Sequence, residues 1–467
     1  MIERFDTIVV GAGIAGLGVA AILAKEAGQK KVLVLDRFSR PGGRLTSYKD
    51  YPEKGWTLDL GLHLIELGEK SSCNRLNNRV GKEVSWAPFS QTVDIWNGSD
   101  FINVAELVPM TEQDKKAFRN LVQRIAVMKD REIEAWDNRS LKEWLTENVP
   151  EAPVRELFTD IGMIMTTIPE AADMAAGEVL YIARENLQKT NQVLQASYPM
   201  EGMSGITKGL MEVIEENGGI IQTPCDVQEV VIENGRAVGV RVPASKHIYR
   251  EDYRIHETKT LLADRVVCAL PIYQLHRMID FSPESGPMPS WWVKRIQDIQ
   301  HEITGLIGYM VGLSEPVVSS KKRCFFTALK TKHAGLPFQA FPATSFSTKV
   351  APEGKQLLHT DIVCEHAEAS DPFKREKLLK LLWEDLKEMF PGIEEKKEWR
   401  LPYYVDGCDG LARKPGLVGN FKPRLRAPGI QNLYFAGDTY TGRGLAANGA
   451  ARSAMLCADL ILKDLKV

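Results

Sequence analysis

The sequence predicts a discontinuous α/β protein. A doubly wound, Rossmann-type nucleotide-binding domain is expected from both ends and the middle of the chain, with an α+β domain inserted into it. Three stretches carry this expectation. Thr7-Ile8-Val9-Val10 runs into Gly11-x-Gly13-x-x-Gly16 and then into alanine-rich helical sequence. Asp264 to Pro271 is a short apolar strand stopped by proline. Asn432-Leu433-Tyr434-Phe435-Ala436-Gly437-Asp438 repeats the order strand, turn and helix near the C-terminus.

The first unit has every part of a dinucleotide-binding βαβ motif. Gly11 permits a tight turn out of the strand, and Gly13 lets backbone approach a pyrophosphate. Gly16 allows the helix to pack on the sheet. Ile14 and Ala15 begin a helix whose free N–H groups and partial positive charge suit an anion. A second apolar run, Val32-Leu33-Val34-Leu35, ends on Asp36, 20 residues after Gly16. A carboxylate there can accept a ribose hydroxyl. The run Thr7–Ala24 has the length of a membrane span, but glycines 11, 13, 16 and 18 are better explained by the βαβ unit.

Bulk properties narrow the function classes. The 467 residues suffice for two or three domains. Hydrophobic residues are 44% and charged residues 26%, a globular composition. The net charge of −2 and the lack of a long basic run argue against a nucleic-acid partner. The seven cysteines are dispersed without a Cys-x-x-Cys pair, so neither a disulfide framework nor a metal site is expected. Met1-Ile2-Glu3-Arg4-Phe5-Asp6 lacks the basic start and cleavage site of a signal peptide, which predicts a cytoplasmic chain.

Beyond Asp36 and Arg37, Pro41-Gly42-Gly43-Arg44 forms a turn with a fixed positive charge, placed to meet a pyrophosphate. Trp56 to Ile65 alternates as a strand with a turn and contains Asp59-Leu60-Gly61-Leu62-His63. His63 is a candidate ligand-facing group, although a lone histidine is more often structural. Residues 111–195 have a helical pattern broken by Pro150, Pro153 and Pro169, with a capping box at Ser140-Leu141-Lys142-Glu143. Ile161 to Ile168 is nearly uncharged, as expected of a buried helix or a cavity wall.

A helix is expected after Gly205 to about Asn217. Strands follow over Asp226–Ile232 and Ala237–Val242, joined by an Asn234-Gly235 hairpin turn, and 246–260 reads as an extension of that hairpin. Asp264–Pro271 is expected to rejoin the nucleotide sheet, bringing Ala269 and Pro271 to its edge. Residues 281–404 look like an α+β unit, with strands over 303–313 and 357–363 and a helix over 374–389 stopped by Pro391-Gly392. Trp291 and Trp292 are core or an aromatic patch. The domain expectation is therefore 1–105, 200–280 and 405–467 for nucleotide binding, with 106–199 and 281–404 for a substrate.

Taken together, these motifs resemble the flavin-dependent amine oxidase and phytoene desaturase superfamily. The shared elements are the first nucleotide unit, Pro-Gly-Gly-Arg, Asp-Leu-Gly-x-His, the Asn234-Gly235 hairpin, Ala-Leu-Pro and Phe-Ala-Gly-Asp. Residues 406–462 are most similar to its phytoene desaturase-like branch, the branch of carotenoid desaturases and isomerases and of retinol saturase-like proteins. Asp406-Gly407-Cys408-Asp409-Gly410-Leu411 and Gly437-Asp438-Thr439-Tyr440-Thr441-Gly442-Arg443-Gly444 carry that likeness.

The resemblance implies a glutathione-reductase-like FAD domain holding one noncovalent FAD. Gly11, Gly13, Gly16, Asp36, Arg37 and the backbone at Val227 would meet the adenosine. Gly42, Gly43 and Arg44 would lie along the pyrophosphate, and Gly437 and Asp438 by the ribityl chain. Gly61, Leu62, His63, Leu445, Ala446 and Ala447 would surround the ring.

The activity implied is hydride transfer at flavin N5 to or from an apolar polyene, isoprenoid or related lipid. Desaturation, saturation and double-bond isomerisation all fall in that class. His63 and Tyr440 are the candidates for moving a proton. The alternatives are a flavin amine oxidase and a flavin-binding subunit without turnover. An amine oxidase would need aromatic faces beside the ring, for which Tyr440, Tyr403 and Tyr404 are candidates. It could also carry a cysteine thioether, for which Cys408 is the candidate. The electron acceptor or donor has no sequence signal. A lipid-like substrate makes peripheral contact with the inner face of a membrane plausible, with no amphipathic helix that locates it.

Overall fold

A computed structural model describes residues 4–61, 64–89, 93–244, 257–282, 284–319, 321–405 and 407–466. Leu62, His63, Asp406 and most of the expected hairpin extension at 246–260 lie outside them.

At the centre is a parallel five-stranded sheet in the order Ile220–Gln222, Val32–Leu35, Thr7–Val10, Val266–Cys268, Leu433–Phe435. Residues 7–10, 32–35, 266–268 and 433–435 are wholly buried, the burial expected of strands covered on both faces. Their last residues are in register: Val10 beside Leu35, Cys268 beside Val10, and Phe435 beside Cys268. Gly11, Asp36, Ala269 and Ala436 therefore emerge along one edge. Ligands of open α/β sheets bind at that carboxyl edge.

The helix Ile14–Glu26 packs between the helices Ser204–Glu216 and Ala446–Asp464. The last helix buries Ala447, Ala450, Ala451, Ala454 and Ala458, small side chains that let it approach closely. A four-stranded sheet of Arg4–Phe5, Thr258–Ala263, Arg236–Pro243 and Glu229–Glu233 flanks this unit. Asn234 and Gly235 turn the hairpin with positive φ, as their sequence predicts.

The inserted part has two pieces. One is a helical block from Glu112 to Thr190, whose core gathers Trp144, Phe158, Met165 and Leu180. Ser140 caps its helix as expected: its hydroxyl accepts from the Glu143 N–H at 3.2 Å, and the Glu143 carboxylate accepts from the Ser140 N–H at 2.8 Å. Ile161, Met163 and Met165 are buried in that core. The other piece is a seven-stranded sheet backed by the helix Pro372–Met389. Its long strands, Thr304–Leu313 and Gln356–Glu365, match the expected pair.

Several expectations need correction. Val93–Trp96 and Phe101–Asn103, expected in the nucleotide-binding part, form the end of the seven-stranded sheet. Cross-strand hydrogen bonds to Phe325–Ala328 decide this, and no local pattern reveals them. The helix Ser290–Ile299, expected in the substrate part, stacks Trp292 on Phe435 of the central sheet. Pro153 opens the helix Ala152–Thr166 instead of breaking one, since its missing N–H is harmless in a first turn. The tryptophan pair divides: Trp292 is 4% exposed and Trp291 is 65% exposed.

Candidate functional site

The residues that leave the strand ends of the central sheet enclose a cavity of about 450 Å³. At one end lie Asp36, Arg37, Val227 and Arg277. Gly13, Gly42, Gly43 and Arg44 line its length, and Gly61, Cys408, Asp438, Ala446 and Ala447 close the other end.

Three glycines test whether a dinucleotide fits. Gly11 has φ +106°, a conformation that side chains resist. A Cβ on Gly16 would fall 1.9 Å from the Gly11 carbonyl oxygen, so Gly16 is required by helix-on-turn packing. A Cβ on Gly13 would meet nothing within 4 Å; it would project into the space that Gly13 lines. The helix that Gly13 caps has no acidic residue in its first turn, and Gly13 has no side chain to cap it. Its N–H groups are thus left for an anion, and the cradle fits a pyrophosphate.

Asp36 holds the turn together while facing the cavity. Its carboxylate accepts from the Ala12 N–H at 2.7 Å and the Phe38 N–H at 2.9 Å. That fixes its orientation beside the position a ribose would take.

Arg44 donates to the Asp438 carboxylate at 2.7 Å and to the Gly407 carbonyl at 3.0 Å, and it also donates to the Cys408 carbonyl. Burial opposes its charge, yet Asp438 holds the guanidinium pKa above the ordinary value. Asp438 is buried, and Lys422 Nζ donates to its backbone carbonyl at 2.9 Å. The two charges expected at separate parts of a ligand therefore pair with each other. Burial also pushes the Cys408 thiol well up, away from the reactive thiolate form.

Most expected residues meet in this cavity: Gly11, Gly13, Ile14, Ala15, Asp36, Arg37, Gly42, Gly43, Arg44, Gly61, Val227, Ala269, Pro271, Gly437, Asp438, Ala446 and Ala447 line it. Gly16 supports the wall from behind. Leu445 also stands back from the lining and packs on the helical block.

Tyr440, a candidate for moving a proton, stands apart from the cavity. It is fully buried and stacks on Phe435 at 5.2 Å, which stacks on Trp292 at 5.6 Å. It packs beneath the sheet edge and does not line the cavity. The other expected cage residues are engaged as well. The Tyr403 hydroxyl donates to Asp361, and Tyr404 carries the Arg375 guanidinium 3.7 Å from its ring centroid.

Sequence reasoning missed Tyr273, Gln274 and Arg277, which line the cavity from the short 3-10 segment Ile272–Arg277. Only their position just after Ala-Leu-Pro offered a signal. Among the described residues there is no group of three or more His, Cys, Asp or Glu placed to hold a metal. None of their helices is long and apolar enough to cross a membrane.

A model of the flavin containing amine oxidoreductase family matches residues 14–462. The chain belongs to this family. Membership makes it a flavin-dependent oxidoreductase, in agreement with the glycine cradle and the sheet edge. A prolycopene isomerase from Daucus carota is 24% identical over 99% of this chain and 81% of its own length. The all-trans-retinol 13,14-reductase of Homo sapiens is 28% identical over 51% of this chain and 44% of its own length. An oxidoreductase from Methanosarcina mazei has the same fold, with a TM-score of 0.76, 21% identity, and coverage of 98% of this chain and 100% of that one. The family's expected phytoene desaturase-like branch is the one these sequence relatives represent.

Proposed function

We propose that the chain binds one FAD noncovalently along this cavity and exchanges a hydride with an apolar polyene, isoprenoid or related lipid. The observation that carries the reading is the continuity of the cavity. It runs from the Gly11-to-Gly16 turn and Asp36, past Gly43 and Arg44, to Asp438 and the start of the last helix. The cofactor, when bound, supplies a hydride acceptor or donor at N5.

The chain's own residues supply binding and exclusion of water. Gly13 and the helix it caps hold the pyrophosphate, and Asp36 takes a ribose hydroxyl. Arg44, fixed by Asp438, keeps a permanent positive charge beside the middle of the cofactor. Ala446, Ala447 and Ala450 give a small, apolar wall at the last helix. Hydride transfer needs orientation and dryness more than acid–base groups. His63, two residues after Gly61 in the sequence, stays within this reading as the candidate proton carrier.

The names of the carotenoid and retinoid relatives support a polyene-like substrate. The engagement of Tyr403, Tyr404 and Tyr440 elsewhere weighs against an aromatic amine cage built from them. Because such a substrate dissolves in lipid, peripheral contact with a membrane belongs to the same reading.

The test is reconstitution with FAD followed by anaerobic addition of candidate substrates. A flavin spectrum that bleaches with polyenes or isoprenoids, or a reduced flavin that they reoxidise, supports the reading. Bleaching by amines with peroxide release in air would establish the amine oxidase alternative. Failure to bind FAD would overturn the proposal.

A further inference from the structure

Glu66 is a buried carboxyl group at the start of the last helix, with no part in the cavity lining. Two hydrogen bonds hold it, and the Leu445 N–H favours its anion. Asn186 Nδ2 donates to Oε1 at 2.5 Å. Asn448, in the first turn of that helix, donates to the Glu66 backbone carbonyl at 2.9 Å. Ala446 and Ala447, the next residues after Leu445, face the cavity.

A helix N-terminus carries about half a positive charge, which favours a single nearby anion. Here Asn448 ties Glu66 to the first turn of that helix, and Ala446 and Ala447 of the same turn line the cavity. The other groups that act on Glu66 are Arg413, which favours its anion, and Glu178, which opposes it. Tyr181 and Cys73 also feel its charge. Burial raises Glu66 to about 7, so both of its protonation states are within reach near neutrality.

We propose that Glu66 is a redox-linked proton site: it takes a proton when flavin at the adjoining cavity wall gains negative charge on two-electron reduction, and releases it on reoxidation. The inference rests on the flavin reading above. The balance is closed. Two electrons and one proton enter the flavin as hydride, and a second proton passes from solvent to a Glu66 carboxylate oxygen. Reoxidation returns both. Glu66 is a positioning residue in this scheme, acting through the helix terminus and not by touching substrate.

The test is the flavin midpoint potential of the FAD-loaded protein, titrated with dithionite against a reference dye from roughly pH 5.5 to 8.5. One proton per two electrons lowers the potential by about 30 mV per pH unit, and two protons by twice that. The expected plot has the shallow slope below about pH 7, where Glu66 is already protonated, and the steep slope above it. Glu66→Gln should give the shallow slope throughout. Asn186→Ala, which removes a hydrogen bond that favours the anion, should move the break to higher pH.

A parent protein with no break, or a break that survives Glu66→Gln, overturns the inference and leaves the flavin reading intact. Should Glu66→Gln not fold, an unmoved break in Asn186→Ala does the same. A protein that shows no flavin spectrum before titration overturns both.

Discussion

The Tyr403 hydroxyl reaches Asp361 across the backbone of Gly308, from a strand that does not pair with the strand of Asp361. Gly308 pairs with Asp361 on one side and Tyr403 on the other, and the Oη–Oδ2 distance is 3.0 Å. Both side chains are buried. A Cβ on Gly308 would stand 2.0 Å from the Thr360 carbonyl oxygen and 2.8 Å from the Asp361 Cβ. The missing side chain is what lets the two outer strands communicate.

Gly308→Ala should therefore cost about 1–3 kcal/mol, the usual range for overpacking a dense core. Urea unfolding checks it. A midpoint equal to the parent's would show that the strands can part without cost.

Burial raises Asp361 to about 7, against the opposing effect of the Tyr403 hydrogen bond. The folded protein then holds a proton that the unfolded chain releases near pH 4. Stability contributed by that proton is present at low pH and declines as pH rises from about 4 to 7. Asp361→Asn removes this dependence. Relative to the parent, the variant should gain stability between acid and neutral pH in paired urea titrations. A constant difference between the two proteins would refute the assignment.

Gly13 and Gly16 should separate binding from folding. Gly13→Ala places a methyl group in the cavity and disturbs no packed atom. It should unfold like the parent and bind FAD at least about tenfold more weakly, a loss of ~1.4 kcal/mol. Gly16→Ala collides with the Gly11 carbonyl and should lower the unfolding midpoint. Normal FAD binding by Gly13→Ala, measured by fluorescence titration, would remove the pyrophosphate from this turn.

Arg44→Ala leaves the Asp438 carboxylate without its guanidinium and strips the cavity of a fixed charge. Arg44 is about one-third exposed, so the stability loss should be modest, about 1–2 kcal/mol. The FAD affinity should fall more steeply than the stability, because the cofactor then loses a fixed positive charge and meets an unpaired carboxylate in the cavity. Arg44→Lys should recover only part of it, since an ammonium cannot span Asp438 and the carbonyls of Gly407 and Cys408 together. Full recovery with lysine would mean that charge alone matters.

Acid precipitation of the FAD-loaded protein should release all the yellow colour to the supernatant. Burial keeps the Cys408 thiol protonated, which disfavours thioether formation. Colour retained in the pellet, and lost with Cys408→Ser, would identify a covalent flavin.

The nucleotide unit was legible because its signals are local. A run of β-branched residues, three glycines at set offsets and one acid at the next strand end have few other uses. The strand Val266–Cys268 was legible for a related reason: it is apolar on every position, as only a strand buried on both faces can be. The same locality explains the Ser140 capping box and the Asn234-Gly235 turn.

Other features depend on distant partners. Arg44 and Asp438 each suggested a ligand, but 394 residues of separation hid their mutual contact. Tyr440 follows Asp438 in a turn that resembles an active-site loop, and only the packing of Phe435 and Trp292 assigns it to the core. Nothing around Glu66 or Asp361 marks them as unusual in sequence, because their properties come from burial by helices and strands far along the chain. The sequence by itself determined the strands, turns and glycines of the cofactor cradle, since those obey short-range geometry. The tertiary structure alone decided which charges pair, which aromatics face the cavity and which carboxyls lose their water, because each of these depends on surfaces that meet only after folding.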